Sequence, residues 1–80
     1  MKYNNIIKEY LKTLNDEELK SLNSRLTQRL GGDVGEATEM MQRHPEMDRC
    51  LLLAKTADDF FDIIDQVDEL AQQEAKRRST

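Results

Sequence analysis

Residues Thr56–Arg78 read TADDFFDIIDQVDELAQQEAKRR, and this stretch decides the fold. Phe60, Phe61, Ile63, Ile64, Val67, Leu70 and Ala71 recur at helical spacing, with Asp58, Asp62, Asp65 and Glu69 between them. At about 100° per residue the acids gather on the side of a helix opposite most of the apolar set. Thr56 stands at an N-cap position, Asp58 and Asp59 follow in the first turn, and Lys76, Arg77 and Arg78 fill the last. Acids at the positive end and bases at the negative end of the macrodipole support the same helix, over 57–78 and about 33 Å long.

Every segment before it also reads as helix. Tyr3, Ile6, Ile7, Tyr10, Leu11 and Leu14 form one helical stripe, predicting a first helix over 3–14. Asn15 with Glu18 three residues on makes a capping box for a second helix over 16–30. Its apolar stripe, Leu19, Leu22, Leu26 and Leu30, is one residue wide, which predicts a place at the rim of a bundle. Gly31 supplies the stop and Asp33 the cap of a third helix over 34–44, which carries Val34, Ala37, Met40 and Met41.

Pro45 disfavours helical geometry at His44 and suits the first position of a fourth helix over 45–55. Met47, Cys50, Leu51 and Ala54 form its stripe and Leu52 and Leu53 widen it, so it should be the most buried element. The expectation is therefore an all-α single domain over 1–80, a small irregular bundle of four to five helices with a long C-terminal amphipathic helix. The first, fourth and last helices should form the core. The last turns of the last helix should project beyond it.

Composition bounds the function. Eighty residues lie near the lower size limit for folding on an apolar core alone. The net charge of −4 weighs against non-specific nucleic-acid binding, which needs clustered cations. Residues 1–30 carry six Lys/Arg and four Asp/Glu, net +2, whereas residues 31–80 carry six and twelve, net −6. The single cysteine, Cys50, excludes an internal disulfide and sits in an apolar run, as a buried thiol would. With no apolar leader and no stretch long enough to span a membrane, a reducing, cytoplasmic setting is expected.

No constellation of residues carries a catalytic proposal, and no cofactor or metal is expected. Asp58-Asp59-Phe60-Phe61-Asp62 resembles the aspartate-rich D-D-x-x-D string of terpene and prenyl synthases, in which carboxylates hold magnesium on a diphosphate. Those enzymes resemble large helical barrels that 80 residues cannot build, and a second metal motif is missing. Leu30-Gly31-Gly32-Asp33, followed later by Thr56–Ile64, is similar in order to segments of acyl carrier proteins. Val34 stands where that family places its modified serine, so covalent carrier chemistry is not available. Gly31–Gly35 lacks the strand and the Lys-Ser/Thr of a phosphate loop. His44, the only histidine, lacks the spacings of a zinc site and reads as a helix-end residue.

Two faces of the last helix remain as candidates. Asp58, Asp62, Asp65 and Glu69 form a ridge suited to a protein partner with a basic surface; six acids and no base fall between 58 and 69. Phe60, Ile63, Val67 and Leu70 step by 3, 4 and 3 as a coiled-coil seam does, which suggests self-association as a homodimer. The leading expectation is a small acidic intracellular interaction module without enzymatic activity, acting as an accessory regulator or inhibitor. One alternative is a helix-turn-helix nucleic-acid binder built on the second and third helices, although Glu36 and Glu39 would then face phosphates. Another is a small-ligand binder in the Met40–Met41–Met47 region.

Overall fold

The structure, a computed structural model, describes residues 3–28 and 32–79. These form five helices: α1 (Asn4–Thr13), α2 (Asp16–Gln28), α3 (Gly32–Gln42), α4 (Pro45–Leu52) and α5 (Ala57–Arg78). No described residue lies in a strand. The fold is the expected all-α bundle with a long C-terminal helix. The predicted roles of Leu30, the Gly31 stop and the fraying of Thr80 lie outside the described residues, as does the side chain of Val34.

Local chemistry sets most boundaries. Asn15 N–H donates to Glu18 Oε1 (3.0 Å) and Glu18 N–H donates to Asn15 Oδ1 (2.8 Å), so the capping box opens α2 as read. Asp59 N–H donates to Thr56 Oγ1 (3.1 Å), which caps α5. A cap of this kind is worth about 1 kcal/mol. His44 is extended, at φ −98° and ψ 120°, and Pro45 occupies the first turn of α4. Helix α1 is one residue shorter than expected at each end, and α3 lies two residues earlier in the chain than expected. Helix α3 begins at Gly32, which puts Asp33 inside its first turn rather than at its cap. Helix α4 ends at Leu52 rather than residue 55, because Leu53 N–H donates to Arg49 O and Cys50 O and Ala54 N–H to Leu51 O, a tightened closing turn.

The helices pack in a closed ring whose order is not that of the chain. Helix α1 packs on α4 and α5, α2 on α3 and α5, and α3 on α4. The shared interior holds Ile7, Tyr10 and Leu11 of α1, Leu19, Leu22 and Leu26 of α2, and Ile63, Ile64, Val67, Leu70 and Ala71 of α5, with Met41, Met47 and Cys50 from α3 and α4. The longest dimension of the molecule is 37 Å, little more than the ~33 Å of a 22-residue helix. Helix α5 thus runs the length of the bundle.

Three expectations are corrected here. Helix α2 is not at the rim: Leu22 and Leu26 are both 0% exposed. A stripe one residue wide suffices because α2 sits between α3 and α5 and meets both along that line. Helix α4 is not the most buried element, since Leu52 is 74% and Leu53 56% exposed. Its Met47, Cys50 and Leu51 already fill its contacts with α1 and α3, and the chain turns away after them. The last turns of α5 do not project. Ala75 packs against the core, and Arg78 donates from Nη2 to Leu11 O (3.1 Å) and from Nη1 to Asp16 Oδ1 (3.1 Å).

Candidate functional site

The outer face of α5 follows from its sequence and its neighbours. Ile63, Ile64, Val67, Leu70 and Ala71 point into the ring, so the opposite side of the same helix must face solvent. Asp58, Asp62, Asp65 and Glu69 are all exposed there, on a rigid helix capped at its start. Consecutive members are three or four residues apart, placing the four carboxylates along about 16 Å of axis. Among the described residues Asp58, Asp62 and Glu69 form no ion pair. Like charges this close create a negative potential that attracts a basic surface.

Phe61 borders the ridge and is 54% exposed, its ring 5.7 Å from that of Phe60 in an edge-to-face pair. Phe60 is half-buried against the core. With Leu52 and Leu53, Phe61 completes the large exposed apolar side chains among the described residues, and all three flank the α4–α5 corner. The predicted self-association seam fares differently. Ile63, Val67 and Leu70 are buried in the chain's own core, so of Phe60, Ile63, Val67 and Leu70 only Phe60 keeps partial access to solvent. The seam residues face α1 and α2 because the ring needs them as filling.

The far end of α5 is bound rather than open. Glu74 accepts from Arg77 Nε (3.0 Å) and Nη2 (2.6 Å) and from Arg78 Nε (2.8 Å). These hydrogen bonds, from Arg77 and then Arg78, pull its carboxyl down to about 2 against the opposing effect of desolvation. Asp68 is buried beside the ridge and accepts from Gln72 Nε2 (3.0 Å).

Among the described residues no group of three or more histidine, cysteine or carboxylate side chains is placed to hold a metal ion, and Asp58, Asp59 and Asp62 fan out over solvent. Cys50 is buried and burial pushes its thiol up, away from thiolate reactivity. His44 is the helix-end residue expected, at the cap position of α4, with its ring 5.7 Å from Tyr10. No described helix is long and apolar enough to cross a membrane.

Residue spacing alone did not find the clamp by Arg78 or the exposure of Leu52 and Leu53. The run of bases at 76–78 was its only trace of the clamp. No family model matches the chain, and no curated protein or solved structure proves similar to it.

Proposed function

We propose that this chain is a protein-interaction module that docks a basic partner on the outer face of α5. The observation that carries the reading is the exposed run Asp58, Asp62, Asp65 and Glu69 on the side of the helix opposite its core contacts. Phe61 at its border supplies an apolar anchor, an aromatic side chain of the kind enriched at interfaces. The carboxylates steer and select the partner, and the aromatic ring adds desolvated contact area. Acting as an accessory regulator or inhibitor needs no more than this surface.

Self-association is a separate reading, favoured by the exposure of Leu52 and Leu53. A two-fold contact through the ridge would set acids against acids. A second copy therefore belongs at the α4–α5 corner, away from Glu69. A nucleic-acid reading has less support: Arg25 is paired with Glu36 at 3.2 Å, and Glu39 is exposed on the would-be recognition helix.

Affinity capture from the native cell, followed by titration of the captured partner, tests the proposal. Asp62→Lys with Glu69→Lys should weaken binding by about ten-fold or more, and wild-type affinity should fall with added salt. Unchanged affinity on charge reversal overturns it.

A further inference from the structure

Tyr10 is 2% exposed, yet its hydroxyl has no hydrogen-bond partner among the described residues. His44 Nδ1 is buried and equally unpartnered. Both residues line the same cavity of about 210 Å³, where the end of α1 and the start of α2 meet the α3–α4 junction. A buried polar atom left without a partner costs free energy, and native proteins leave few such atoms. Two in one cavity point to something that binds there.

The surrounding groups define its chemistry. Arg43 lines the cavity and forms no ion pair among the described residues. Pro45, in the first turn of α4, forms part of the cavity wall and brings an apolar ring without an N–H. Burial, then the Glu18 carboxylate, push the Tyr10 hydroxyl up to about 12, while Arg43 acts the other way. The hydroxyl thus keeps its proton at neutral pH and lies within electrostatic reach of both charges. The donors at the cavity are the Arg43 guanidinium and the Tyr10 O–H, while the Glu18 carboxylate is already engaged by Asn15 N–H.

We infer that this cavity binds a small monocarboxylate with a short apolar tail. Arg43 and the Tyr10 hydroxyl hold the carboxylate, and Leu14, Met40 and Pro45 cover the tail. A volume of about 210 Å³ suits a short-chain ligand. Glu18 stands at the rim, already accepting Asn15 N–H, and its charge disfavours a dicarboxylate or a phosphate.

The test is an NMR titration of the protein with sodium butyrate, following the Tyr10 and His44 ring signals, with butyramide and n-butylammonium as controls. Butyrate should give saturable shifts and the controls none. Tyr10→Phe and Arg43→Gln should each weaken binding by about ten-fold. Neither should unfold the chain, since one removes an unpaired hydroxyl and the other changes an exposed side chain. Arg49→Gln, away from the cavity, should leave binding unchanged. No saturable shift below about 50 mM, a range that still detects very weak binding, means that the cavity holds water only and overturns the proposal. So does an equal response to either control, or undiminished affinity in either variant.

Discussion

Helices α2 and α4 invert what their sequences suggest. Helix α2 has a thin apolar stripe and buries all of it that is described; α4 has a wider apolar set and leaves Leu52, with the following Leu53, in solvent. The difference teaches that stripe width measures how much a helix could bury, while position in the ring decides how much it does. Helix α2 is flanked by α3 and α5 over its length. Helix α4 is eight residues long and meets α1 and α3 with its Met47, Cys50 and Leu51 edge.

Truncation is the most direct way to break that comparison. Leu22→Ala or Leu26→Ala should each cost about 3 kcal/mol, by lost transfer energy and the cavity left behind, in urea unfolding followed by circular dichroism. Equal costs at Leu52 would show that α4 is as embedded as α2 and that the contrast is false.

Two of the unpartnered buried atoms, Tyr10 Oη and His44 Nδ1, lie beside the start of α4, so that corner should tolerate a change. Tyr10→Phe keeps the ring and removes the orphan hydroxyl; in the ligand-free protein it should raise stability by about 1 kcal/mol in the same measurement. A loss of that size would mean that the hydroxyl has a partner.

The α2 side is tied at its start by Asp16 to Arg78, and Arg78 to Glu74. The carboxyl of Glu74 is lowered in the folded state from 4.5 to about 2, so it binds protons less readily folded than unfolded. Its stabilising effect is therefore present above pH 4.5 and is lost as pH falls toward 2. Thermal melts across that window should show a declining Tm, and Glu74→Gln should flatten the decline.

The smallest effect sharpens the comparison from the other side. Leu52→Asp should change stability by no more than about 0.5 kcal/mol, because the side chain is already in water. The same variant read by sedimentation equilibrium reports on the corner contact: any dimer present in the wild type should weaken.

Much of the fold was legible because its signals are local. The capping box at Asn15 and Glu18, the Thr56 cap and Pro45 each act within four residues, and each appears where the pattern put it. The exposed positions Asp58, Asp62, Asp65 and Glu69 were legible for the same reason, since they lie about half a helical turn round from the core residues. What was not legible depends on which helix becomes a neighbour. The seam Ile63, Val67 and Leu70 has the spacing of a contact, and spacing cannot say whether the contact is with another copy or with α1 and α2. The Tyr10–His44 cavity joins residues 34 positions apart, and neither carries a mark in its own segment.

Arg78 closes the ring across 62 and 67 positions of chain, to Asp16 and to Leu11. In kinetic terms this makes the fold slower than its helical content suggests. The α2–α3–α4 arm joins elements adjacent in sequence, and those contacts close short loops. Helix α5 must return across most of the chain to cover α1 and α2 together, and that long closure comes at an entropic cost before any packing offsets it. The guanidinium contacts then belong to the last step, after the barrier. Arg78→Ala should accordingly speed unfolding and leave the folding rate nearly unchanged in a stopped-flow chevron, marking the order in which this ring is shut.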